Sequence, residues 1–249
     1  MGARSLLFSM AIAAALAATP AAAFPVIWGT SWDGPSNELQ KIVDARYGVG
    51  AINVQTDYIG FHVGDPDPFE WLDDGFDALI IKEVAGNANH NFVGWYKDDG
   101  VVPVIDGVDD GVVFNGPANS SNPPVFITLG GVQRFGFYMN PNGTGGATNA
   151  PEPELFFSNR FYNDLGPSGA GALHAPVDGD VQVLVYDVAR WRGANTWLVC
   201  IEDLDSGANP SPCCSTTDND FNDFVFEVNA VGVTPAKRLT MGSLKRRFQ

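Results

Sequence analysis

Two carboxylate clusters, each at the mouth of an apolar run, dominate the chemistry this chain could perform. Trp197-Leu198-Val199-Cys200-Ile201 runs straight into Glu202-Asp203, and Asp218-Asn219-Asp220-Phe221-Asn222-Asp223 runs straight into Phe224-Val225-Phe226. If the two apolar runs are neighbouring strands, the acidic ends meet. Like charges held close cost energy unless they are protonated or bridged by a cation. Oxygen donors in Asp-x-Asp-x-Asn spacing suit calcium, which takes about 6–8 oxygens and tolerates irregular loops. Counted from Asp218, the EF-hand pattern fails: Asp223 stands where a glycine is demanded, and Asn229 where a bidentate glutamate is needed. A calcium site would therefore be completed from elsewhere in the fold. Glu83, at the end of its own apolar run, and Asn87, Asn89 and Asn91 after it are candidates. The expected ligand set is Glu83, Glu202, Asp203, Asp218, Asp220, Asn222 and Asp223. The competing reading is that these residues only cap turns, as Asp and Asn often do.

Signatures of other chemistries are absent or broken. Gly166-Pro167-Ser168-Gly169-Ala170 has the wrong register for a nucleophile elbow, and there is neither a His-Glu-x-x-His nor a phosphate loop. Gly48-Val49-Gly50 opens no helix, and His62, His90 and His174 lie far apart, which gives zinc little support. Paired carboxylates could hydrolyse glycosides, with Glu202 and Asp220 or Asp223 as the pair. Six tryptophans, Trp28, Trp32, Trp71, Trp95, Trp191 and Trp197, could stack on sugar rings or simply fill a core. The alternative function is thus carbohydrate binding or processing at the same acidic cluster. It predicts exposed tryptophans beside the acids. Cys200, Cys213 and Cys214 allow one disulfide from Cys200 to either member of the pair, or a buried Cys200 thiol.

Positioning these residues falls to many short strands. Apolar runs at 78–84, 92–96, 101–105, 111–114, 125–129, 134–139, 155–162, 181–186, 196–201 and 224–231 are separated by Gly-, Asn-, Pro- and Asp-rich turns. The one convincing helix spans Asn37 to Arg46, with Asn37 as cap, Gln40 as its capping-box partner and Gly48 as its stop. Shorter strand-like patches precede the main run at 52–54 and 59–63. The fold class expected is all-β: an antiparallel β-sandwich or jelly-roll with one short N-terminal helix.

Residues 1–23 read as a signal peptide: Arg4, an apolar stretch from Leu6 to Ala18, then Thr19-Pro20 and the small-residue ending Ala21-Ala22-Ala23. Loss of that leader takes the basic count from 14 to 13 against 29 acidic residues, a net charge of −16. Such a surface repels nucleic acid and anionic lipid and attracts cations. The expected organisation is a leader at 1–23, a lead-in with its helix at 24–76 packed on the main domain, a β-domain at 77–233, and a tail at 234–249. The tail carries Lys237, Arg238, Lys245, Arg246 and Arg247 but no apolar run, so no membrane span is expected after the leader is removed. A secreted or cell-surface protein is expected, with a surface glycan or another protein as partner.

Several stretches resemble the domain of unknown function 4114 family of bacterial exported proteins. They are Ala78-Leu79-Ile80-Ile81-Lys82-Glu83-Val84-Ala85-Gly86-Asn87-Ala88-Asn89-His90-Asn91 with Gly94-Trp95-Tyr96, then Phe135-Gly136-Phe137-Tyr138, Phe157-Ser158-Asn159 and Trp197-Leu198. Glu202-Asp203-Leu204 with Asp218-Asn219-Asp220-Phe221-Asn222-Asp223-Phe224-Val225 closes the series. The resemblance covers about 78–231. It implies an all-β surface domain suspected of calcium binding, with Glu83, Glu202, Asp203, Asp218, Asp220 and Asp223 on the acidic positions. Two departures stand out. The loop from Asp205 to Thr217 is long, and Pro151-Glu152-Pro153 sits mid-chain with no apolar helix after it.

Overall fold

The apolar runs pair into antiparallel strands, and most lie in one sheet. The computed structural model describes residues 34–62, 65–66, 69–85, 88–116, 118–141, 155–165, 181–203 and 220–233. The leader, Asn87, the 151–153 motif, the 205–217 loop with Cys213 and Cys214, Asp218 and the basic tail lie outside them. The described strands are β1 (Glu70–Glu83), β2 (Phe92–Lys97), β3 (Asp110–Phe114), β4 (Val125–Asn140) and β5 (Phe156–Phe157). They continue as β6 (Val183–Asp187), β7 (Thr196–Ile201), β8 (Phe224–Asn229) and β9 (Gly232–Val233). The order across the sheet is β3-β2-β4-β1-β8-β7-β6, with β5 beside β4 and β9 beside β1.

This sheet folds over on itself, which makes it sandwich-like. Phe114 of β3 meets Phe224 and Phe226 of β8 at ring-centroid distances of 5.5 and 5.6 Å, although three strands separate them in the sheet. Alternation explains how the strands of one half serve two layers. Val183, Val185, Val199, Ile201, Phe224, Phe226 and Val228 enter the core between the folded halves. Leu184, Tyr186, Leu198, Cys200 and Val225, on the other face, pack under helix α1 (Leu39–Tyr47). Burial of both faces is why these strands read as continuous apolar runs.

The α1 helix presses Leu39, Ile42, Val43 and Tyr47 onto that outer face. Its far end is pinned to Glu227 of β8. Arg46 Nε and Nη2 donate to the carboxylate at 3.0 and 2.8 Å, the Tyr47 hydroxyl donates at 2.9 Å, and Arg192 Nε lies at 3.0 Å. Burial alone would raise the Glu227 carboxyl, but the hydrogen bonds and charges of Arg46, Tyr47 and Arg192 hold it below the usual range.

Several local expectations are corrected. Helix α1 starts at Leu39 with no side-chain cap; Gln40 instead donates to Asp44 and the Ile52 carbonyl and accepts from Val54 N–H, tying the helix to the following loop. Gly48 does end it, with φ of 106°. The patches at 52–54 and 59–62 are turns and bends rather than strands, and 101–105 is an irregular loop, where Val101 and Val104 are exposed and Pro103 lacks a ladder donor. Of the run 155–162 only Phe156–Phe157 is strand, followed by a 3-10 turn at Arg160–Leu165. The runs at 125–129 and 134–139 form one bent strand. A second helical turn, α2, spans Ala189–Arg192. Strand β1 begins at Glu70, ahead of the expected boundary at 77, and takes Trp71 into the core. Among the described residues no helix is long and apolar enough to cross a membrane.

Candidate metal centre

Register carries three acidic strand ends to one level of the sheet. Glu83, last in β1, pairs with Phe224, first in β8, and Phe224 pairs on its other side with Ile201, last in β7. The residues just past those ends, Glu202 and Asp203 after β7 and Asp223 before β8, therefore crowd together. One oxygen from each of Glu202, Asp203 and Asp223 lies within 4.8 Å of the other two, and all three residues are buried. Oxygens about 2.4 Å from a shared calcium can be at most about 4.8 Å apart, so the spacing fits one coordination sphere. This cluster could hold a metal ion.

Local hydrogen bonds set the shape. Asp203 N–H donates to Asp223 Oδ2 at 2.7 Å, and Val84 N–H donates to the Asp223 carbonyl at 3.2 Å. Phe221 N–H donates to Glu202 Oε2 at 3.2 Å, which folds the 220–223 turn back over the end of β7. Asn222 Nδ2 donates to Asp220 Oδ2 at 2.7 Å and to the Asn37 carbonyl at 2.8 Å. Asn91, ahead of β2, donates its Nδ2 to Asp203 Oδ2 at 3.0 Å. Phe221 adopts φ of 54°, a left-handed conformation that is an outlier for so bulky a residue. Its ring is fully buried beneath α1.

Charge and solvation are out of balance in this arrangement. Burial pushes the Asp223 carboxyl well above its ordinary range, and the charges of Asp203, Glu202 and Asp220 push it further. Glu83 is pushed up to about 8, first by burial and then by Asp203. Three oxygen acceptors on these residues are buried without a hydrogen-bond donor: Glu83 Oε1, Asn91 Oδ1 and Asn222 Oδ1. Both asparagines are fully buried. An orphaned buried acceptor costs roughly 1–3 kcal/mol, and three beside a carboxylate cluster are what a bound cation would satisfy.

Of the residues expected at the site, Glu202, Asp203 and Asp223 share the cluster. Asp220 and Asn222 form the turn beside it, and Glu83 lies within reach of the Asp203 charge. Asp218 and Asn87 fall outside the described residues. Asn89 is exposed, whereas Asn91 reaches Asp203. The Asn37 carbonyl carries no sequence signal; only the docking of the N-terminal segment brings it here. Cys200 is a buried free thiol whose pKa burial raises. The described tryptophans are occupied elsewhere. Trp71 is fully buried, Trp95 packs on the core, Trp191 lies 5.7 Å from Tyr47, and Trp197 opens β7 at the end opposite Glu202. Compared with family models, curated proteins and solved structures, the chain matches none of them.

Proposed function

We propose that this chain is an exported, non-enzymatic surface or matrix protein whose buried acidic junction binds calcium as a stabilising ion. The observation that carries the reading is the trio of donorless oxygens on Glu83, Asn91 and Asn222 beside the mutually close carboxylates of Glu202, Asp203 and Asp223. Carboxylates and amide oxygens form a hard donor set, which favours calcium over softer transition metals. The leader-like residues 1–23 support export. The ordered motifs over 78–231 support kinship with the domain of unknown function 4114 family. A glycan or protein at the surface is the partner in this reading. Full burial of Glu202 and Asp220 supports this reading over the glycoside one, which needs that pair open to a substrate.

Binding to the folded state alone stabilises it by about 2.7 kcal/mol when free calcium is about a hundred times the dissociation constant. For a domain of this size the melting temperature rises by roughly 5–10 °C. Calorimetry in calcium against chelator should show that shift, and Asp220→Ala combined with Asp223→Ala should abolish it. An unchanged melting temperature at millimolar calcium would refute the proposal and leave the acids as turn residues.

A further inference from the structure

We infer that occupancy of the acidic site controls the seating of helix α1, so that the ion acts as a clasp on the N-terminal segment 34–62. The inference rests on the calcium reading above. It goes further in assigning the ion a conformational output.

The turn 220–223 faces two ways. On one side it supplies Asp223 to the acidic cluster and Asp220 beside it, and on the other it supports the N-terminal segment. Asn222 makes both contacts with a single nitrogen, bonding Asp220 Oδ2 and the Asn37 carbonyl two residues before α1 begins. Phe221 does the same with its two ends. Its N–H is held by Glu202, while its ring lies in the buried cluster with Leu39, Ile42 and Val43 of α1. Val84 joins that cluster too, and its N–H is held by the Asp223 carbonyl. Residues 84, 221 and 222, which lie near the start of α1, are thus each held by a hydrogen bond to a residue of the acidic site.

The other end of the helix is independent of the site. Arg46 and Tyr47 bond Glu227, four residues into β8 and on the outer face. Without the cation nothing bridges the crowded oxygens of Glu202, Asp203, Asp220 and Asp223, and the short turn is the part that can yield. As it moves it withdraws Asn222 and Phe221 from beneath the first turn of α1 while the last turn stays pinned. Coupling of this kind is reciprocal: whatever loosens α1 must weaken calcium binding by the same factor.

Hydrogen–deuterium exchange on the full chain reads the first half of this. Calcium removal should raise exchange over residues 39–44 by about tenfold or more, with β2 and the 135–139 stretch of β4 unchanged. Titration calorimetry reads the other half. Val43→Ala, which touches no residue of the acidic turn by hydrogen bond, should weaken calcium binding about fivefold or more, whereas Val113→Ala in the opposite core should not. Exchange over 39–44 that is the same in calcium and chelator, in a chain whose calcium binding gives a clear heat, would overturn the clasp and leave the calcium site standing. Absence of any binding heat would overturn both. Unaltered affinity in Val43→Ala would also count against the clasp.

Discussion

Glu83 and Asp223 make the molecule's response to pH a test of its chemistry at the level of single residues. Both carboxyls are held above the value they have in an unfolded chain, Glu83 at about 8. In such a case the folded form binds more protons than the unfolded form between the two pKa values, so stability falls as pH rises through that window. Melting temperatures of metal-depleted protein should therefore decline from about pH 5 to about pH 8. The carboxylates with lowered values, Asp98 and Glu227, titrate below that window and do not offset the trend. Saturating calcium should flatten or reverse it, because the ion requires the ionised forms. A flat profile without metal would contradict the burial and charge argument made for these two residues.

Among the elements, the pairing of β2 with β4 shows how tightly register is specified away from the acidic junction. Gly94 lies opposite Tyr138 and Tyr96 opposite Gly136, so each tyrosine crosses a strand that offers no side chain. A Cβ on Gly94 would come within 2.3 Å of the Tyr138 ring, and one on Gly136 within 2.5 Å of Tyr96 Cζ. Gly94→Ala should thus cost about 1–3 kcal/mol by overpacking, as read in urea unfolding, and Gly136→Ala the same. A neutral result in both would mean the rings do not lie over the glycines. The same element-level view explains what was legible in the sequence. Strand β7 was readable to both ends because both its faces are buried, giving an unbroken apolar run. The first half of β1 was hidden by Asp73, Asp74, Gly75 and Asp77, which sit around an irregularity opposite Gln133 and Thr128. The 101–105 run, rich in β-branched residues, looked like a strand yet lies in a loop, with Val101 and Val104 in water and Val102 and Ile105 packed against the Tyr96 cluster. At the candidate site the carboxylates announced themselves by charge. Asn91 was only one of three similar asparagines, and the Asn37 carbonyl belongs to a backbone that only tertiary packing could place.

On the scale of the whole molecule, two apolar clusters lie on opposite faces of the β6-β7-β8 half, and the N-terminal segment closes one of them. That segment also shields an edge. Ile59 N–H donates to the Val185 carbonyl, which occupies part of the outermost strand β6 and blunts it as a template for another chain. The position of β1 has a further effect, on when the molecule can fold. It is the first of the described strands, yet it lies in the middle of the sheet between β4 and β8, and Glu83 pairs with Phe224. High contact order of this kind slows folding to roughly milliseconds to seconds. A chain stopped after Asp203 should show no cooperative thermal transition by circular dichroism, since its central strand would have a bare side; a sharp melt would count against this view. A growing polypeptide thus cannot close this sheet until β8 has been synthesised. It remains pliable during that interval.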